Sequence, residues 1–148
     1  MPRSTTSFFI PDINVWIALT YQGHAHHLVA ADWFSTVGEN ARLIFCRFTQ
    51  LGLLHLLTAE AVMADEVLSQ VEAWGLYDRW LQDDRVDLMD EPAGLEGRFR
   101  AMTSAKHPAP KDWADSYLSA FAAAGQFTVV TFDRAFRTKT KALLLSSE

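Results

Sequence analysis

The sequence is poor in cysteine and has no long apolar run, and each absence excludes a class of protein. Its single cysteine, Cys46, cannot form an internal disulfide, which fits a reducing cytoplasm. No apolar run approaches the roughly 20 residues that a membrane-spanning helix needs. Residues 1–7 lack the long apolar core of a secretory signal, so export is not expected. We therefore expect a cytoplasmic protein without a membrane segment.

The composition is that of one globular domain with an excess of negative charge. The 148 residues are 49% hydrophobic and 21% charged, which suffices for one buried core and is too short for two. A net charge of −5 argues against a protein that coats nucleic acid, but not against an enzyme that binds it locally. The basic residues concentrate beside a proline-rich loop and at the C-terminus, where they form either a solvated face or a nucleic-acid contact: Lys106, Lys111, Arg134, Arg137, Lys139 and Lys141.

Short strands alternate with helices along the chain. The pattern predicts strands at residues 7–12, 42–45, 85–89 and 127–131, and helices at about 15–19, 24–37, 49–59, 65–83, 95–102 and 112–124. Asn14 is expected to cap the first helix and Gly125 to end the last. Leu28 and Val71 are expected to face inward from their helices. This alternation predicts an α/β fold with a mostly parallel sheet.

Aspartates stand at equivalent places near the two ends of the chain. Asp12 closes the first predicted strand, Asp133 closes the last, and Asp115 lies in the first turn of the helix between 112 and 124. In a parallel sheet all three would meet beyond the carboxyl ends of the strands. A hard divalent cation removes their mutual repulsion and can activate a water for phosphodiester hydrolysis. Taken singly, each aspartate could instead be a helix cap or a turn residue.

Several stretches resemble the motifs of PIN domains. Residues 12–19 (DINVWIAL), 112–122 (DWADSYLSAFA) and 130–136 (VTFDRAF) are similar to the acidic motifs of that family. Residues 23–33 and 46–57 resemble the VapC subgroup, the toxin half of VapBC toxin–antitoxin pairs. Because these stretches follow one another in the right order, residues 1–148 resemble a single PIN domain.

The resemblance implies a fold, an activity and a set of partners. The implied fold is a three-layer α/β/α domain with a mostly parallel central sheet. The implied activity is a Mg²⁺- or Mn²⁺-dependent endoribonuclease that acts on RNA, forms a homodimer and is covered by a cognate VapB-like antitoxin. Asp12, Asp115 and Asp133 would bind the metal, and Asn14 and Thr131 would hold their carboxylates in place.

Further residues receive roles by position in the family pattern. Asp112 lies one helical turn before Asp115 and could assist it. Arg134, Arg137 and Lys139 would position the RNA backbone. PIN domains usually carry a glutamate where this chain has Gln50, an amide that offers oxygen without charge, so weaker metal binding is expected unless Glu91 substitutes for it.

Other readings of the sequence remain open. The first alternative is a catalytically weak or inactive PIN-like module that binds RNA or protein. A phosphatase lacks support because there is no Asp-x-Asp or glycine-rich phosphate motif, and a response regulator would need paired acids after the first strand. His24, His26 and His27 lack zinc-site spacing and more simply begin a helix. Most of the five tryptophans are expected in the core, although an exposed one near the site could stack on an RNA base.

Overall fold

A computed structural model describes residues 6–146 as an α/β fold around a five-stranded sheet. All strand pairs are parallel, in the order β3-β2-β1-β4-β5. The strands are β1 (Phe8–Pro11), β2 (Arg42–Phe45), β3 (Val86–Leu88), β4 (Thr128–Thr131) and β5 (Ala142–Leu144). The prediction that no secretory signal begins the chain rests partly on residues 1–5, which lie outside the described residues.

Seven α-helices connect and cover these strands within residues 6–146. They are α1 (Ile13–Thr20), α2 (His27–Ser35), α3 (Arg47–Leu57), α4 (Glu60–Met63), α5 (Gln70–Leu81), α6 (Leu95–Met102) and α7 (Asp112–Gly125). Short 3₁₀ helices span Ala64–Glu66 and Arg134–Thr138. None of the helices in the described part is long and apolar enough to cross a membrane.

The sheet separates two apolar cores because its side chains alternate between the faces. In β2, Leu43 and Phe45 point into the core shared with α1, α3 and α5, where Trp16 stacks on Phe45 with ring centroids 3.8 Å apart. The residue between them, Ile44, points into the core formed with α7, where it joins Phe121. The predicted three-layer α/β/α architecture is thereby confirmed, and the sheet is parallel throughout.

The helix boundaries differ from the sequence predictions where a local hydrogen bond decides them. Asp12, rather than Asn14, caps α1 by accepting a hydrogen bond from the backbone N–H of Ile13. Helix α5 begins only after Ser69, whose hydroxyl and backbone exchange hydrogen bonds with Glu72 in a capping box.

The end of α7 at Gly125 agrees with the sequence prediction, but the residue that adopts the left-handed conformation is Gln126, with φ of 61°. A Cβ on Gly125 would lie 2.4 Å from the ring of Phe127, so this glycine allows a close contact rather than a turn. Leu28 and Val71, expected to face inward, are 77% and 83% exposed. Their apolar side chains were taken for core positions because helical spacing alone does not show which face meets the sheet.

Candidate active site

The ends of β1 and β4 are joined by the hydroxyl of Thr131. Thr131 is fully buried, and its Oγ1 donates to Asp12 Oδ2 at 2.9 Å. The same oxygen accepts from the backbone N–H of Asp133 at 3.0 Å and from Asn14 Nδ2 at 3.5 Å. One donated and two accepted bonds use the full capacity of a hydroxyl. Thr131 therefore fixes the positions of two aspartates that lie at opposite ends of the sequence.

Asn14 acts on the aspartates through this threonine rather than by direct contact. Its amide nitrogen reaches Thr131, and its amide oxygen accepts from the backbone N–H of Phe132 at 3.4 Å. Within residues 6–146, no hydrogen bond joins Asn14 to a carboxylate of Asp12, Asp115 or Asp133. The side chain ties the start of α1 to the segment that follows β4.

Asp12 and Asp133 each use one carboxylate oxygen as a helix cap. Asp12 Oδ1 accepts from the backbone N–H of Ile13 at 2.8 Å, and Asp133 Oδ1 accepts from that of Ala135 at 2.9 Å. Capping and metal binding are compatible because each carboxylate offers about four lone-pair sites. Each of these aspartates can therefore cap a helix and bind a metal ion at the same time.

Asp12 is the most strongly perturbed acid of the three. Burial raises its pKa to about 6 from the ordinary 3.8, against the opposing effect of the hydrogen bonds from Thr131 and Ile13. The charges of Asp115 and Asp133 raise it further. The three carboxylates are therefore close enough to repel one another across the carboxyl edge of the sheet.

Asp115 completes this group from the first turn of α7. It is half-buried, and it accepts no hydrogen bond from any residue between 6 and 146. Burial is the main cause that raises the pKa of Asp115, followed by the charge of Asp133. The charge of Lys139 acts in the opposite direction and lowers this pKa. Because no hydrogen bond uses them, the lone pairs of Asp115 are available to a cation.

Asp112 has a different environment, although it is one turn from Asp115. Lys139 Nζ forms an ion pair with Asp112 Oδ1 and also contacts Ser116 Oγ at 3.2 Å. This lysine holds the pKa of the Asp112 carboxyl below its ordinary value. Asp112 is therefore the counter-ion of Lys139, and Lys139, assigned from the sequence to RNA positioning, already has a protein partner.

Gln50, at the position where PIN domains usually carry a glutamate, is paired with an arginine. Gln50 is buried in α3, and its Oε1 accepts a hydrogen bond from Arg47 at 2.7 Å. The suggested substitute, Glu91, is exposed and accepts a hydrogen bond from the hydroxyl of Tyr117 at 2.7 Å. Neither Gln50 nor Glu91 contributes to the pKa shift of Asp12 or Asp115.

Two exposed arginines follow Asp133 closely in the sequence. Arg134 and Arg137 lie in the 3₁₀ helix that follows Asp133, and both are exposed. No ion pair involves either arginine within the described part of the chain. Their guanidinium groups are therefore available to an anionic ligand.

The donor chemistry of the site fits Mg²⁺ or Mn²⁺. Carboxylate oxygens are the ligands that such hard cations prefer, and the three aspartates repel one another without a cation. Residues 6–146 contain no group of three or more His, Cys, Asp or Glu side chains arranged to enclose an ion. In this structure the three aspartates therefore do not form a closed set of ligands, and their agreement with Mg²⁺ or Mn²⁺ is one of donor type.

The sequence did not point to the partners of the charged residues. Arg47 lies three residues before Gln50, and Ser116 lies four after Asp112, so helical spacing could have suggested these contacts. The contact between Lys139 and Asp112 spans 27 residues and two different elements. No local pattern reveals a pairing of that kind.

Comparison with known proteins places this chain in a family. A family model described as "PIN domain" matches residues 9–142. Ribonuclease VapC41 of Mycobacterium tuberculosis is 44% identical over 129 residues, which cover 84% of this chain and 88% of that protein.

Solved structures agree on the fold. The crystal structure of Mycobacterium tuberculosis VapC20, described as a sarcin-ricin loop cleaving toxin, has a TM-score of 0.70 at 16% identity, covering 95% of this chain and all of that one (100%). Rickettsia felis VapBC2 bound to a promoter DNA fragment has a TM-score of 0.69 at 12% identity, with 94% and 99% coverage. At these identities the two structures establish the fold alone. The family match and the relative at 44% identity together show that the chain belongs to the PIN domain family and, within it, to the VapC group.

Proposed function

We propose that this chain is a Mg²⁺- or Mn²⁺-dependent endoribonuclease and the toxin component of a VapBC-type pair. The observation that carries the proposal is the Thr131 bridge between the Asp12 carboxylate and the backbone of Asp133, in a member of the PIN domain family. Asp115 is near enough for its charge to raise the pKa of Asp12. The relative at 44% identity bears the name ribonuclease, which supports the same activity.

The three aspartates would hold the metal, and the neighbouring residues would fix their geometry. When bound, Mg²⁺ or Mn²⁺ supplies an acidified water and neutralises charge that builds on the scissile phosphate. Thr131 restrains the Asp12 carboxylate and the backbone of Asp133, so both ligands would be in place before substrate arrives. Asp115 has free lone pairs and would complete the set from α7.

Basic residues around the acids would bind the RNA backbone. Arg134 and Arg137 are exposed directly after Asp133, where phosphate groups flanking the cleaved bond would lie. Lys139 would act differently, because its ion pair with Asp112 occupies it before any RNA binds. These contacts give affinity for phosphate and not for sequence.

The same proposal includes a VapB-like antitoxin and a homodimer. A groove of about 350 Å³ between α3 and α5 is lined by Leu51, Leu54 and Trp74, and Leu51 is 63% exposed. An exposed apolar groove of this kind is typical of a surface that a partner covers. Light scattering of the chain alone would test the homodimer. Light scattering of the chain co-expressed with a candidate VapB-like antitoxin would test the second partner.

Cleavage by an Asp133→Asn variant tests the proposed activity. An asparagine keeps the oxygen that caps the 3₁₀ helix through Ala135, so the variant should fold while losing a charged ligand. Wild type is expected to cut a structured RNA with Mn²⁺, and both EDTA and the substitution should abolish cleavage. Asp32→Asn, which removes an exposed acid from α2, is the matched control and should cleave normally.

The alternative is a catalytically weak module that binds RNA or protein. The observation in its favour is Gln50, held by Arg47 where the family usually has a glutamate. Folded wild type that binds RNA but does not cut it, even at high Mn²⁺, would establish this alternative. Cleavage that persists both in EDTA and in the Asp133→Asn variant would refute the metal-dependent mechanism.

A further inference from the structure

A basic segment connects α6 to the catalytic helix α7. Residues 97–111 contain Arg98, Arg100, Lys106 and Lys111, together with His107, and no aspartate or glutamate. All five side chains are exposed, in a chain whose net charge is −5. Arg98, Lys106 and Lys111 form no ion pair with any residue between 6 and 146. This concentration of unpaired positive charge is complementary to a polyanion.

An aromatic groove lies beside this segment. We name it the tryptophan groove; it measures about 490 Å³ and is lined by Glu96, Phe99, Arg100, Thr103, Ser104 and Trp113. The indole of Trp113 is 55% exposed, and Phe99 supports it edge-to-face with ring centroids 6.0 Å apart. The ion pair between Arg100 and Glu96 is exposed, with atoms 3.3 Å apart, so it contributes little and does not keep Arg100 from another anion.

The tryptophan groove and the proposed metal-binding acids use different faces of helix α7. Trp113 is two residues before Asp115, which places the two side chains about 160° apart around α7, on nearly opposite faces. A second groove, of about 700 Å³, contains Asp112 and Asp115 and is bordered by Ala105 and His107. Ser104 lines the first groove and Ala105 the second, so the loop before α7 divides two adjoining grooves.

We propose that the tryptophan groove is a subsite for an unpaired nucleotide of the RNA, next to the nucleotides at the cleaved bond. The inference rests on the proposed ribonuclease function and assigns part of its specificity. The base stacks on Trp113, and a neighbouring phosphate contacts Arg100, which lines the groove. Since a helix with its side chains is about 10–12 Å wide, the bound base flanks the cleaved bond and is not itself at that bond.

Stacking fits this groove better than base-edge recognition. Any base offers a π-face to an exposed indole, and Arg100 in the wall of the groove supplies a cation for the backbone. Thr103 and Ser104 add two hydroxyl groups at one side of the groove. Tight RNA binding would therefore require an unpaired base beside the cleaved bond, and the identity of that base would change the affinity only moderately.

The test is RNA binding by Trp113 variants in EDTA, where the proposed activity is silent. The probe is a short fluorescent single-stranded RNA of mixed sequence, measured by anisotropy at low salt. Trp113→Ala should weaken binding by about 5- to 100-fold, the range for one base stacked on an aromatic ring, and Trp113→Phe should retain most of it. Leu28→Ala is the control, because Leu28 is also an exposed apolar side chain, at 77%, but lies on α2 away from the tryptophan groove.

Abasic substitutions in the probe give a second measurement that does not depend on a variant folding. Removing the base at one position of the RNA should weaken binding to wild type by a similar factor. Trp113→Ala should be insensitive at that position, because the stacked pair has already been lost. A wild-type protein indifferent to every abasic position would overturn the inference.

The remaining outcomes separate this inference from the proposed function. If wild type cuts RNA with Mn²⁺ and Trp113→Ala binds and cuts equally well, the function stands and the subsite is refuted. If Trp113→Ala changes only the oligomeric state, the groove is a protein interface and the subsite is again refuted. If wild type neither binds nor cuts RNA, the proposed function fails and the subsite fails with it.

Discussion

Replacing Asp12 with asparagine should make the metal-free protein more stable. The pKa of Asp12 rises to about 6 in the folded chain from an ordinary 3.8, a difference that corresponds to about 3 kcal/mol of unfolding free energy. As pH increases, the unfolded chain releases this proton first. The free energy of unfolding therefore falls between about pH 4 and pH 6 and stays low above pH 6.

The asparagine removes the buried charge but disturbs one hydrogen bond. Its oxygen can still accept from the backbone N–H of Ile13, while its NH₂ group replaces the oxygen that faced Thr131. The Thr131 hydroxyl must then turn, at a cost of about 1 kcal/mol. The net gain for Asp12→Asn at neutral pH is thus about 2 kcal/mol, or about 4–8 °C in Tm for a domain of this size.

Urea unfolding followed by circular dichroism, in EDTA at pH 7.5 and at pH 4, would measure this gain. The gain should be present at pH 7.5 and disappear at pH 4, where the wild-type Asp12 is already protonated in the folded state. Asp32→Asn removes the same charge from an exposed position and should leave stability within about 0.5 kcal/mol of wild type. An Asp12→Asn variant no more stable than wild type at pH 7.5 would refute the argument from buried charge.

Three further predictions concern packing, charge and metal binding. Gly52→Ala would place a Cβ 2.2 Å from the side chain of Ile13 and should lower the free energy of unfolding by about 1 kcal/mol. Gly75→Ala, whose Cβ would have no atom within 4 Å, should raise it by about 0.5–1 kcal/mol. Urea unfolding of both variants would show these changes of opposite sign. Lys139→Met should lower Tm at neutral pH and much less in acid. The ion pair with Lys139 lowers the pKa of the Asp112 carboxyl, so the stability that this pair contributes is lost as the pH falls through the pKa of the folded state. Gln50→Glu should pair with Arg47 and change the Mn²⁺ dissociation constant by less than about twofold; calorimetry showing much tighter binding would place this residue among the metal ligands.

The sequence predicted those parts of the fold that leave a local pattern. Strand β4 is β-branched and apolar, and the alternation of short strands with helices indicated a parallel sheet. Strand β5 was missed because Ala142–Leu144 is only three residues long and has a composition equally suited to a helix. Its pairing with β4, from Val129 to Ala142 onward, exists only in the assembled sheet.

The sequence likewise predicted part of the candidate site and missed the part that depends on long-range contacts. Asp12 and Asp133 could be placed together because both follow strands, and parallel strands share one carboxyl edge. The separation of Asp112 from Asp115 could not be predicted, since it depends on Lys139 reaching across from another element. Burial was equally hidden from the sequence, and it is the main reason that Asp12 has an unusual pKa.

The bridge from Thr131 to Asp12 has a consequence for how the protein is made. The bonded residues are 119 positions apart, and the central strand β1 lies beside β4, which is synthesised long after it. At about 5–20 residues per second, β1 waits several seconds on the ribosome before its partner exists. Folding is slow when it depends on such distant pairings, and a nascent or truncated chain cannot assemble the three aspartates. Any activity carried by these residues would therefore appear only after the segment up to Asp133 has been synthesised and has left the ribosome.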